Sequence, residues 1–210
     1  MRDMPGELAE EVPGPRERIL RAALAVASER GYDGTTISLV IARAGLAASS
    51  VYWHFKDKDV LLAEAIQYGY DHWRASTAAV SAGADLGFEG VVRARMAESA
   101  REMLARPEFW HMGLLLVLQR RPTTPLALDR FHAIYGQLVS ELEDWYRGVL
   151  PPGARGPEVV ETVATFQVMA MGGIYVTSYL APPQDLAQIM AWVGEAIIEI
   201  VRRHVPGGET

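Results

Sequence analysis

Apolar side chains recur at spacings of three and four along almost all of this 210-residue chain. No stretch alternates with the period of two that a half-buried strand requires. Ile19, Leu20, Ala23, Leu24 and Ala27 mark one face of a first helix, which Gly31 ends. Two short segments, 36–44 and 48–54, flank Gly45. A fourth helix from about Asp57 carries Leu61, Leu62, Ala65, Ile66 and Gly69 inward. Val92, Met96, Ser99 and Met103 space the next helix, which Pro107 stops, and a short apolar segment holding Trp110 closes at residues 122–125. Phe131, Ile134, Tyr135, Leu138, Leu142, Trp145 and Val149 form a long stripe, residues 151–157 are a break, and a last helix carries Leu186 to Val201 with Arg202, Arg203 and His204 at its C-terminal end. The pattern predicts an all-α chain of about nine helices. Residues 81–87 are the best loop, which divides the chain into an N-terminal domain over 13–73 and a C-terminal domain over 82–204.

The absence of cysteine excludes a disulfide framework, a thiolate zinc site and a cysteine nucleophile. It also suits a reducing, cytoplasmic address, and the charged first twenty residues show no apolar signal run. Residues 162–184 carry no charge and are long enough to raise a membrane-spanning reading. They contain Gln167, Gly172 and Gly173 and end in two prolines. With no aromatic belt or flanking lysine, a helix buried in a bundle or between subunits is the expectation, and no membrane partner is expected.

A net charge of −6 argues at first against a nucleic-acid partner. Its distribution argues otherwise. Residues 14–60 hold Arg16, Arg18, Arg21, Arg30, Arg43, Lys56 and Lys58 against Glu17, Glu29, Asp33, Asp57 and Asp59, a positive block in an acidic chain that contains both of its lysines. Within this block, residues 35–58 read as helix, tight turn, helix. Thr35 or Thr36 caps the first helix, Gly45 supplies the turn and Leu46 fills the angle. Ala47, Ala48, Ser49 and Ser50 keep the second helix's N-terminus slender enough for a major groove, while Val51 and Phe55 anchor that helix. The alternative is an ordinary helical hairpin with packed aromatics.

Arg18-Ile19-Leu20, Ala22-Ala23, Gly31-Tyr32, Thr35-Thr36, Ile41-Ala42, Ala44-Gly45 and the string Val51-Tyr52-Trp53-His54-Phe55-Lys56-Asp57-Lys58 together resemble the TetR-type (TetR/AcrR) transcriptional regulators. The resemblance implies an all-helical homodimer with an N-terminal helix-turn-helix and a C-terminal domain for ligand binding and dimerisation. It implies double-stranded DNA, a palindromic operator, as partner and a recognition helix over residues 47–53. Tyr52, His54, Lys58 and Thr35 or Thr36 then match phosphate-holding positions, with Arg43 a further candidate. Base reading is left to Ala48, Ser49, Ser50 and Trp53. Two positions depart from the family pattern: Ala47 stands where a capping Ser or Thr is frequent, and Ser49 where Gly is frequent.

In the C-terminal half, Met96, Met103, Trp110, Met112, Tyr135, Trp145, Phe166, Met169 and Tyr175 are candidates for a pocket that takes an apolar or aromatic small-molecule effector; the plainer alternative is that they fill a core. Gly172, Ile189, Val193, Ile197 and Ile200 are the candidate dimer interface, two helices from each subunit making a four-helix contact. No cofactor or metal site is expected, and no His-Glu-x-x-His pair or nucleophile elbow suggests an enzyme. A ligand-released repressor is therefore the leading reading. A dimeric scaffold that has lost DNA binding comes next and a helical enzyme last.

Overall fold

Glycine and proline set the helix boundaries. The computed structural model describes residues 13–77, 86–180 and 185–205. Among these the order is α1 (Pro15–Gly34), α2 (Ile37–Ala44), α3 (Ala48–His54), α4 (Lys58–Thr77), α5 (Gly87–Ala105), α6 (Glu108–Leu118), α7 (Leu126–Val149), a 3-10 turn (Pro152–Ala154), α8 (Pro157–Leu180) and α9 (Leu186–His204), with no strand. The all-α expectation holds. Most of the expected loop at 81–87 lies outside the described residues.

Local chemistry accounts for several ends. Pro15 opens α1, where its missing N–H costs nothing. Gly31, at φ 70°, interrupts α1 where the sequence predicts its end, and one further turn continues to Gly34. Thr36 is the cap of α2, its hydroxyl accepting from the Leu39 N–H at 3.3 Å. Asp185 caps α9 by accepting from the Gln188 N–H at 3.1 Å.

α1 packs against α2, α4 and α6, and α4 continues from that group to lie along α7. The remaining helices chain together, α7 on α8, α8 on α9 and α9 on α5. A single buried apolar core runs through both groups, from Ile19 and Leu61 to Met96, Leu142 and Ile197. Two polar links cross it. The buried Tyr146 hydroxyl donates to Gln167 Oε1 at 2.6 Å, joining α7 to α8. On α7, Glu141 accepts from Tyr70 and Arg74 of α4 and from Gln137 of its own helix. Burial pushes the Glu141 carboxyl upward, but these hydrogen bonds outweigh it and hold the group below the usual carboxylate range.

The uncharged segment at 162–184 falls mostly in α8. The inner face of that helix, with Val163, Ala164, Gln167, Val168 and Met171, is buried in the core. Its outer face, with Met169 and Val176, is bare in the single subunit.

Candidate nucleic-acid interface

α2 and α3 are held at a fixed angle by a few contacts. Gly45 adopts φ 62° and ψ 38°, a left-handed conformation natural to glycine, and its N–H returns to Ile41 O at 3.1 Å. Arg18 reaches across from α1 and donates to Ala44 O at 2.8 Å, bracing the turn from below. Val51 and Phe55 are buried, one on α3 and one just past its end, and pin the helix to the core. Arg16 lies over the Phe55 ring, its Cζ 5.7 Å from the centroid.

With one side of α3 pinned, the opposite side faces solvent. Ala48, Ser49, Tyr52 and Trp53 are exposed, Trp53 at 82% and Tyr52 at 59%. Ser50 and His54 are half-buried at the edges, and His54 packs edge-on to Trp53 with ring centroids 4.6 Å apart. An indole this bare, on a seven-residue helix pinned from behind, is a surface that fits a partner better than water. Ala47 is exposed at the N-cap and supplies no side-chain hydrogen bond; the Ser50 N–H turns back to Ala47 O at 3.0 Å, and no side chain caps the first turn of α3. Ala47→Ser is therefore expected to stabilise the fold by about 1 kcal/mol, read as a higher urea midpoint at unchanged slope.

The other candidate phosphate contacts divide. Thr36 is exposed at the start of α2, whereas Thr35 is buried and donates to Gly31 O at 2.7 Å. That internal bond rules Thr35 out. Arg43 makes a two-pronged pair with Glu29, at 2.8 and 2.7 Å, so its charge is balanced on the surface. Lys56 is exposed. Lys58 is turned away from α3: Nζ donates to Tyr32 O at 3.1 Å and lies 4.3 Å from the Tyr32 ring centroid.

Lys58 belongs to a junction that sequence reasoning missed. Tyr32 donates its hydroxyl to Asp59 Oδ1 at 3.0 Å, and Asp59 Oδ1 also accepts from the Leu126 N–H, at the start of α7, at 2.9 Å. Arg121, its side chain only 8% exposed, pairs with Asp33 at 3.0 Å and donates to Leu116 O at 3.0 Å. The end of α1 and the start of α4 are thus tied to the α6–α7 connection. Burial first, and the Asp59 carboxylate second, push the Tyr32 phenol up to about 12. Arg18 and Tyr32 sat within recognisable sequence clusters, but nothing local marked Arg121.

The family model of bacterial regulatory proteins of the tetR family matches residues 19–65, which run from within α1 through α2 and α3 into the first part of α4. The chain carries the helix-turn-helix domain of the TetR family. Over 55 residues it is 36% identical to the HTH-type transcriptional regulator AcrR of Shigella flexneri, a match covering 26% of this chain and 26% of that protein. The chain thus matches about a quarter of that relative's length. Among solved structures it resembles a transcriptional regulator from Rhodococcus sp. RHA1, with TM-score 0.68 and 24% identity over 88% of this chain and 96% of that one. It also resembles a TetR transcriptional regulator from Legionella pneumophila, with TM-score 0.69 and 15% identity over 91% of this chain and 99% of that one. These structural likenesses extend the TetR-like fold through the C-terminal helices.

Outside the TetR-type domain, the predicted pocket residues do not gather at one place. Met96, Met103, Met112, Trp110 and Tyr175 are buried in the core, Trp110 within an aromatic group with Trp73 and Phe109. Trp145 is half-buried, while Tyr135 is exposed and Met169 is 66% exposed on the outer side of α8. A side chain that open cannot line an enclosed pocket with Met96. Phe166 lines a groove of about 420 Å³ between α8 and α9, together with Ala170, Gly173, Ile189 and Trp192. The predicted interface also needs correction. Ile197 is fully buried within the subunit, on the side of α9 that meets α5, and cannot touch a partner. Val193 lies at the rim of the groove, and Ile189, Ile200 and Gly172 are half-buried.

Proposed function

We propose that this chain is a homodimeric transcriptional repressor that binds a palindromic operator and is released by a small molecule held among its C-terminal helices. The observation that carries the reading is the bare face of α3, with Tyr52 and Trp53 standing out from a helix fixed by Val51 and Phe55. In a duplex groove, Ala48 and Ser49 sit at the slender leading end. Trp53 meets sugar or base edges, and Tyr52, His54, Thr36 and the α3 N-terminus reach backbone phosphates. Lys56, exposed just past the end of α3, adds a positive charge nearby.

Dimerisation through α8 and α9 is supported by their outer faces. Phe166, Met169, Gly173 and Val176 on α8 and Ile189, Trp192, Ala196 and Ile200 on α9 form an uncharged surface around the groove. A Cβ built on Gly172 or Gly173 meets nothing within 4 Å, so packing inside the subunit does not demand these glycines, whereas the close approach of a second subunit's helix does. The Tyr32–Asp59–Leu126 and Arg121–Asp33 contacts supply the mechanical link. A shift of α6 or α7 on effector binding moves the end of α1 and with it the spacing of two recognition helices.

The test is a selection of the purified protein against random duplex DNA, followed by a salt titration of the enriched sequence. The expected product is a palindrome whose affinity falls about a thousandfold or more between 50 and 200 mM salt. Tyr52→Phe removes one exposed hydroxyl and is expected to weaken that binding about tenfold without altering the thermal midpoint. A second reading, a dimeric scaffold that no longer binds DNA, draws on the uncapped Ala47. Absence of any enriched duplex, with dimer confirmed by sedimentation, decides for it.

A further inference from the structure

Two clefts meet on the outer side of α1. One, of about 400 Å³, lies between α1, α4 and the turn from α5 to α6, and its lining includes Glu17, Arg21, Tyr68, His72, Arg106 and Glu108. The other, of about 380 Å³, runs from α1 to the C-terminal end of α2 and takes in Arg18, Arg21, Arg43 and Glu108. Arg21, Ala25 and Glu108 line both, so they stand where the clefts join.

Most of the polar groups here are already engaged inside the subunit. Glu17 Oε1 accepts from the Tyr68 hydroxyl at 3.1 Å, Arg106 donates to His72 O at 3.1 Å, and His72 Nδ1 lies 3.0 Å from Tyr68 O. Arg18 donates to Ala44 O, and Arg43 is paired with Glu29. Arg21, exposed on α1, and Glu108, half-buried at the start of α6, differ. Neither makes a hydrogen bond or ion pair with a described residue, although both face the same space. Beside them the buried Leu24 and Phe109 supply an apolar floor. That floor is tightly packed: a Cβ on Gly69 would stand 2.9 Å from a Leu24 methyl and 3.3 Å from Phe109 Cβ.

A simple anion drawn to Arg21 would share the cleft with Glu17 and Glu108, and a simple cation drawn to Glu108 would share it with Arg21 and Arg106. A zwitterion answers both charges. Because the same two side chains bound both clefts, the charges that meet them belong on neighbouring atoms, with an apolar remainder for the floor.

We propose that this junction binds a free α-amino acid with an apolar side chain, its carboxylate on Arg21, its ammonium on Glu108 and its side chain against Leu24 and Phe109. Such a ligand joins α1, on which the helix-turn-helix rests, to the start of α6. The site goes beyond the effector reading, which holds a small molecule among the C-terminal helices, and does not depend on it.

The experiment is calorimetry and thermal unfolding of the full-length protein with L-phenylalanine and L-leucine. Each is set beside counterparts that keep one charge: 3-phenylpropionate and 2-phenylethylamine, 4-methylpentanoate and 3-methylbutylamine. At about tenfold excess over Kd, at least one amino acid is expected to raise the midpoint by about 3 °C. Its single-charge counterparts are expected to bind about tenfold more weakly or worse. Arg21→Gln and Glu108→Gln break no bond in the free subunit, so each is expected to leave the free midpoint within about 1 °C. Each is expected to weaken the amino acid about tenfold, while Arg21→Gln spares the amine and Glu108→Gln spares the acid. A response to neither amino acid overturns the proposal. So does a counterpart that binds as tightly as its amino acid, or an affinity that either variant leaves unchanged. A free midpoint lowered further than that in either variant makes the side chain part of the fold and overturns its role as a ligand-holding group. None of these readouts uses DNA, so a protein that binds the amino acid yet enriches no duplex loses the repressor reading and keeps the site.

Discussion

Trp192→Glu is expected to leave the subunit folded, to convert dimer to monomer at micromolar concentration, and to weaken operator binding by about a hundredfold or more. Trp192 is 63% exposed and lies on the groove wall opposite Phe166 and Ala170, with Ile189 and Ala196 beside it on α9. Little of the indole is buried in the subunit, so its removal opens no cavity there. In a dimer the same position is covered on both subunits by the two-fold, and a carboxylate placed there is desolvated twice without a partner. The loss on DNA follows because two half-sites bound through one rigid dimer gain from effective concentration, and separate monomers do not. Sedimentation equilibrium reads the first effect and a gel shift on the selected palindrome the second. A variant that sediments as a dimer removes α8 and α9 as the interface.

Phe55→Ala carries the largest expected effect on stability. The ring is 1% exposed just beyond α3 and packs between the helix-turn-helix and α1, with Arg16 over it. Truncating a fully buried phenylalanine costs about 3–5 kcal/mol through lost transfer and the cavity left behind. Against a typical total of about 5–15 kcal/mol this is a substantial fraction, and it falls on the segment that orients α3. Urea unfolding is expected to show a lower midpoint, with a separate early transition for the N-terminal helices where α3 detaches before the C-terminal bundle melts. Operator binding is expected to be lost under conditions in which the C-terminal helices remain folded by circular dichroism. Retained operator affinity would show that α3 is oriented by other contacts.

Much of the architecture was legible because helical periodicity is local. Spacings of three and four located the helices, Gly45 the turn, and Val51 with Phe55 the anchored side of α3, which left Tyr52 and Trp53 pointing outward. The string around Phe55 also identified the TetR-type domain, because a groove-reading helix and its brace need particular residues at short separations. Where the reading went astray, the missing quantity was the rotation of one helix against another. Ile189, Val193, Ile197 and Ile200 form one stripe on paper, yet α9 turns Ile197 into α5 and brings Trp192 to the surface. Adjacent threonines look equivalent in sequence, but the break at Gly31 buries Thr35 and leaves Thr36 to cap α2. Likewise, the methionines and aromatics of the C-terminal half share a composition and not a location.

The sequence by itself therefore determined the helical class, the helix-turn-helix and the outward side of α3 with Tyr52 and Trp53, since all three depend on side chains within a turn or two of one another. Tertiary structure alone decided which face of α9 is free, that Lys58 turns onto Tyr32, and that Arg121 ties α6 to the end of α1. Each of these depends on groups far apart in the chain, and whether a charge finds a partner is settled only once the helices pack.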